Sequence, residues 1–214
     1  MDTAQAQLTP AADTTPAVVE IPAAELSGGV WCTRFPASTS IADCVEPFKQ
    51  SLSLFVAALG AAGAEVSIAN TYRPPQRAFL MHWSWRIVNE GADPRTVPGM
   101  TGVAINWAHT DVGGGYSPTK SVAAAQEMVN TYGLPNLKVP PALNSRHTLG
   151  LAVDMSISWV GDLSIVDGAD AITKISTTPK TGMNAELKVV GATYGVVKFV
   201  GGSVDRPHWS DNGH

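Results

Sequence analysis

The sequence predicts an α+β domain in which a small, mainly antiparallel sheet packs with helices. Three observations predict it. Four segments carry helix signals, strand-like segments are few, and the order (helix, strand, helix, helix, strand, helix, strands) lacks the regular alternation of a parallel α/β fold. The 214 residues suffice for one domain with a sizeable core.

The elements follow in order. Residues 1–28 are Ala/Thr/Pro-rich with few large apolar side chains, so they read as a flexible tail whose end can form an extended arm through Val18, Val19 and Ile21. The folded domain is expected over 29–214. Residues 47–62 read as a helix: Pro47 suits a first turn, and Phe48, Leu52, Phe55, Val56 and Leu59 form an apolar stripe. EVSIANTY (65–72) alternates like a strand, with Val66 and Ile68 on one face. Pro74 and Pro75 open a helix over about 76–89, which Gly91 stops. Residues 91–99 and 109–117 read as loops, with a partly extended stretch between them, and Pro118 opens a helix that Gly133 closes. LAVDMSISW (151–159) alternates: Leu151, Val153, Met155, Ile157 and Trp159 point one way, and Ala152, Asp154, Ser156 and Ser158 the other. Residues 160–183 read as a hairpin or irregular insertion. Asn184 caps a helix over 184–195, and VVKFVGG and RPHWSD supply the last strands.

The composition excludes some classes. A net charge of −4 and the lack of a Lys/Arg cluster argue against a nucleic-acid binder. No apolar run is long enough for a membrane span, and no basic n-region precedes an apolar core, so neither a span nor a cleavable signal is expected. A monomer is expected. Cys32 and Cys44 are spaced wrongly for a CxxC motif. A disulfide between them, worth roughly 3 kcal/mol by chain entropy, and two unlinked thiols both remain open.

The chemistry concentrates in SRHTLGLAVD (145–154) and DRPHWSD (205–211). Asp154 lies on the polar face of a strand, and His147 precedes it across Gly150, which allows a tight turn. A histidine near an aspartate is ordinarily just a hydrogen-bonded pair. The second histidine, His208, changes that reading. His147, Asp154 and His208 make two imidazoles and one carboxylate, the composition of a catalytic Zn2+ site with an open fourth position. Asp205 is then a spare carboxylate, suited to be a general base, and Trp209 offers an apolar wall to a groove.

Ser145, His147, Gly150, Ala152 and Asp154 match S-x-H-x-x-G-x-A-x-D, and Asp205 to Trp209 match an acidic-x-x-His-Trp element. With TYRPPQ (71–76) as an upstream strand-to-helix junction, the chain resembles the zinc D-alanyl-D-alanine peptidase family over roughly residues 65–211. That family includes vancomycin-resistance dipeptidases, carboxypeptidases and endolysins that cut between L-alanine and D-glutamate. The resemblance implies a hedgehog- or D,D-peptidase-like fold, and zinc held by His147, Asp154 and His208. It implies Asp205 as proton shuttle, Arg73 on the scissile carbonyl or a substrate carboxylate, and Ser145 near substrate or ligands. The substrate it implies is the stem peptide of bacterial peptidoglycan. Many members carry Glu where this chain has Asp205, and the shorter arm also occurs among the endolysins, which favours an endopeptidase over a carboxypeptidase. Action at the cell wall without a cleavable signal implies release by phage lysis or a secretion machine. A wall-binding zinc domain without turnover is the further alternative.

Other candidates have simpler readings. Arg73 can be a surface arginine near a helix N-terminus. His82, beside Trp83 and Trp85, reads as packing, and Trp31, Trp107 and Trp159 as core. His109 and Asp111 have the H-x-D spacing of iron(II) oxygenases, with His147 or His208 as the distal ligand, but that reading leaves both stronger motifs unexplained. His214 is expected to be disordered.

Overall fold

A computed structural model describes residues 24–214. Its elements are β1 (Glu25–Leu26), α1 (Phe48–Ala61), β2 (Glu65–Asn70), α2 (Pro75–Asn89), β3 (Ile105–Asn106), α3 (Pro118–Thr131), β4 (Ala152–Ser158), β5 (Leu163–Val166), β6 (Ile172–Ile175), α4 (Ala185–Thr193), β7 (Val197–Lys198) and β8 (His208–Ser210). Short 3₁₀ turns lie at Gly29–Thr33, Ile41–Asp43 and Pro94–Thr96. Helices and antiparallel sheets make the fold α+β, as the element order implied.

The central sheet runs β2-β4-β8-β7, antiparallel throughout, and β5–β6 form the hairpin that 160–183 suggested. Most of the expected tail, including Val18, Val19 and Ile21, lies outside the described residues. Its last part is ordered earlier than residue 29: Glu25–Leu26 pair in parallel with Ile105–Asn106. The two-residue bridge satisfies main-chain groups that composition alone could not assign.

Alternation in β4 decides the architecture. Val153, Met155 and Ile157 are buried, while Ser156 and Ser158 on the other face are exposed. Helix α1 packs its Phe48–Leu52–Phe55–Leu59 stripe into the same core as those strand residues, and α4 adds Leu187 and Val190. Fully burying one such side chain is worth roughly 1.5–3 kcal/mol. Pro47 takes the cap position of α1 rather than its first turn. Asn184 caps α4, its side chain accepting from the Glu186 and Leu187 N–H groups. A second core joins α2, α3 and the Gly29–Thr33 turn around Trp31, Phe79, Leu80, Trp107 and Met128.

The cysteines are free. Cys44 belongs to the sheet-side core and Cys32 to the α2–α3 core, so folding separates them. Among the described residues, no helix is long and apolar enough to cross a membrane.

Candidate metal centre

Register builds the centre. Asp154 pairs with Asn70 of β2 on one side and with His208 of β8 on the other, which places the three in one row across the sheet. His147 comes from the turn before β4. There the Thr148 hydroxyl donates to the Ser145 carbonyl (2.8 Å), and the Gly150 and Arg73 N–H groups both donate to the His147 carbonyl (3.2 and 3.1 Å). Gly150 has φ +70°, and a Cβ there would crowd the backbone of Asp43 and Val45, so the position needs glycine.

Three donor atoms converge. His147 Nε2 lies 3.2 Å from Asp154 Oδ1 and 3.2 Å from His208 Nδ1, and His208 Nδ1 lies 3.2 Å from Asp154 Oδ1. Each imidazole is pinned by a main-chain carbonyl. His147 Nδ1 faces the Thr71 oxygen at 2.8 Å, and His208 Nε2 faces the His214 oxygen at 3.2 Å. A carbonyl can only accept, so His147 carries its proton on Nδ1 and His208 on Nε2. The remaining nitrogens of the neutral rings then present lone pairs to each other and to the carboxylate. Three lone pairs at such distances repel unless a cation or a proton lies among them. Donors bound tetrahedrally at about 2.0–2.1 Å from an ion stand about 3.3 Å apart. The observed spacing fits, and this group can hold a metal ion.

The electrostatics agree. Burial opposes ionisation of Asp154, but a proton held by His147 or His208 toward its oxygen outweighs that and keeps the carboxyl far below the usual range, so the carboxylate stays ionised among the rings. Burial would lower the His208 pKa, but Asp154 outweighs it and raises the value. A site that draws positive charge onto His208 is one that a divalent cation can take over.

The other expected residues fall into place unevenly. Asp205 Oδ2 lies 4.0 Å from His208 Nδ1, with its side chain 47 % exposed. Arg73 is half-buried; burial lowers its pKa, while the carboxylates of Asp154 and Asp205 oppose that, so the guanidinium stands in the field of both. Ser145 closes the turn through its Thr148 contacts and lines a cleft with Leu149 and His208, without a hydrogen bond to any of the three donors. Trp209 requires a correction. It is 0 % exposed and packs on Phe55 inside the core, so it is no wall for a substrate. Strand alternation explains it: if His208 faces the metal centre, the next residue must face the core.

Three contributors were not expected. Asn70 brings its Nδ2 to 3.2 Å from His147 Nδ1 and 3.5 Å from Asp154 Oδ2; since the ring nitrogen already carries a proton, the amide is left for the carboxylate. His214, expected to be disordered, has its N–H on the Ser210 hydroxyl (3.1 Å) and its carbonyl on His208. Lys198, only 5 % exposed, donates from its ammonium to the Arg206 and His208 carbonyls at 2.6 and 2.7 Å. Burial lowers its pKa to about 8, although Asp205 opposes that fall.

The bland readings hold elsewhere. His82 donates from Nδ1 to the Pro141 carbonyl at 2.8 Å, and Trp31, Trp107 and Trp159 are buried. His109 sits 3.0 Å from the Ser27 hydroxyl, while Asp111 accepts from the Gly113 and Gly115 N–H groups. Neither joins the cluster, so the H-x-D pair is not part of a triad with His147 or His208. Along the second half of β4, next in sequence to Asp154 and His208 but lined by none of the three donors, runs a groove of about 430 Å³ bounded by Met155, Ser156, Ser158, Gly182, Arg206 and Pro207. Comparison of the chain with family models, curated proteins and solved structures finds no match in any of the three.

Proposed function

We propose that this domain is a zinc-dependent peptidase that hydrolyses an amide in the stem peptide of bacterial peptidoglycan, with the L-Ala–D-Glu type of bond favoured. The observation that carries this reading is the convergence of His147 Nε2, His208 Nδ1 and Asp154 Oδ1 at 3.2 Å from one another, with the far nitrogen of each ring on a main-chain oxygen. The substrate class is supported by the two-part motif through Ser145–Asp154 and Asp205–Trp209.

Zinc, which His147, Asp154 and His208 would hold, would supply Lewis acidity toward water and the scissile carbonyl. The protein supplies the rest. The Asp205 carboxylate takes a proton from the attacking water and hands it to the leaving amine, so the C–N bond breaks to give a carboxylate and an amine. Its exposure and short arm suit a group that must meet both water and substrate. Arg73 offers fixed positive charge to the carbonyl oxygen as it becomes negative. The groove beside Met155 and Ser156 accepts an extended peptide leading away from the metal.

The test is digestion of purified walls by zinc-loaded protein, with mass spectrometry of the released muropeptides and His208→Ala as the control. New N-terminal D-glutamate is the expected product. Release of terminal D-alanine alone would reassign the bond to a carboxypeptidase. Zinc binding without any product would leave a wall-binding domain.

A further inference from the structure

We propose that Lys198 is a positioning residue for the metal centre: its buried ammonium holds the turn that carries Asp205 and His208. The inference rests on the metal-site reading above and adds a group that neither the motif nor the ligand set contains.

The geometry is specific. An ammonium has three N–H groups. Those of Lys198 meet the carbonyl oxygens of Arg206 (2.6 Å), His208 (2.7 Å) and, at the limit of hydrogen bonding, Asp205 (3.5 Å). The Trp209 ring lies 5.2 Å from the same nitrogen. Among the described residues, the Lys198 ammonium forms no ion pair with a carboxylate. A buried cation satisfied only by carbonyls is costly to keep, and an apolar side chain of similar length would fill the space without that cost.

The position of the lysine shows why a side chain is needed. β7 is two residues long, and its ladder with β8 ends at the Lys198–Trp209 pair. One further main-chain bond, from Phe199 N–H to the His208 carbonyl (3.1 Å), closes that side. Beyond it no main-chain donor of β7 reaches the Asp205 and Arg206 carbonyls. Among the described residues, the exposed turn at 201–204 makes no main-chain hydrogen bond to another segment. On the β4 side the turn is held only where the Met155 N–H donates to the Pro207 carbonyl (3.0 Å). The ammonium therefore fixes the carbonyls on either side of Pro207. That sets where the His208 ring enters the cluster and how far the Asp205 carboxylate stands from it. Outer partners that orient metal ligands change affinity by roughly 10–100-fold when removed.

The test compares wild type, Lys198→Met and Lys198→Arg in the full chain, using zinc affinity by chelator competition, the visible spectrum of the cobalt-substituted protein and melting of the metal-free protein. For Lys198→Met the expected result is zinc affinity roughly 10–100-fold weaker with an altered cobalt spectrum. Lys198→Arg, which keeps donors, recovers most of the affinity. Wild-type zinc affinity and an unchanged cobalt spectrum in a folded Lys198→Met would overturn the assignment, as would a folded Lys198→Arg no better than the methionine variant. If the methionine variant does not fold, the wild-type ammonium is read directly by nitrogen-15 lysine NMR. A slowly exchanging Lys198 signal that zinc addition shifts supports the role; one that exchanges like a surface lysine and ignores zinc refutes it. Failure of wild type itself to bind zinc would sink the metal reading, whereas equal binding by all three proteins would sink only this inference.

Discussion

Replacing Asp205 by asparagine isolates the chemistry from the fold. The side chain is 47 % exposed and its Oδ2 stands 4.0 Å from His208 Nδ1, beyond hydrogen-bond reach, so the change leaves no buried partner uncompensated. Surface substitutions of that kind usually stay within about 0.5 kcal/mol of wild-type stability. Turnover should respond very differently. A positioned general acid–base group is worth roughly 10²–10⁴ in rate, or about 3–5 kcal/mol of barrier. One side effect needs control. Two unit charges 4 Å apart in water interact by about 1 kcal/mol, so a divalent ion at the distance of the ligand nitrogen would lose about 2 kcal/mol, roughly thirtyfold in affinity. The assay therefore uses zinc well above that weakened affinity and follows muropeptide release, metal stoichiometry and thermal melting on the same sample. The expected result is one zinc per chain, an unchanged melting temperature and rates at least a hundredfold down. A zinc-loaded Asp205→Asn that keeps more than about a tenth of wild-type turnover would refute the proton-shuttle role.

Three further expectations concern pH and the core. In the metal-free protein the raised His208 pKa gives a stabilising contribution that is full below about pH 6.5 and lost as pH rises through the raised value. The depressed Asp154 pKa gives one that is present above about pH 4 and lost as pH falls through the lowered value. Zinc must displace the His208 proton, so affinity should rise with pH until that group is neutral and then level off; a flat profile in chelator competition between about pH 5.5 and 8.5 would contradict the coupling. Trp209→Ala should cost about 3–5 kcal/mol in urea denaturation and leave KM of the folded fraction unchanged, since the ring is 0 % exposed. A raised KM without lost stability would return Trp209 to the substrate groove.

The α+β class, the helices and the convergence of His147, Asp154 and His208 were legible because they rest on local signals: apolar periodicity, proline and glycine punctuation, and histidine and aspartate in a polar strand row. Asn70 was not legible for a definite reason. In strict alternation it shares a face with Val66 and Ile68, but β2 has an irregularity between Ile68 and Asn70, which oppose the consecutive residues Met155 and Asp154. The extra residue turns Asn70 to the metal side. Lys198 was hidden because a lone lysine in VVKFV reads as a solvated strand residue. Trp209 was misread because it was grouped with its motif neighbour His208, and adjacency along a strand means opposite faces. The carbonyls of Thr71 and His214 have no signature at all, since every residue supplies one.

The division of β4 and β8 into two faces has a consequence for how variants combine. α1 and α4 cover one face, and the core they make with Val153, Met155 and Trp209 contains none of the converging donors. Among the described residues, no helix covers Ser156 and Ser158 on the other face, where both stay exposed. Stability and metal binding thus draw on different atoms of the same strands, and effects of distant substitutions on the two faces should add within about 0.5 kcal/mol. His208 and Trp209 are the exception to look for. They are consecutive in β8, and Lys198 touches both, through the His208 carbonyl and the Trp209 ring. Coupling between a core change and metal affinity should therefore concentrate at Lys198 and Trp209, and a double-mutant cycle between Trp209→Ala and Lys198→Met, read as zinc affinity, should depart from additivity where one between Val153→Ala and Lys198→Met does not.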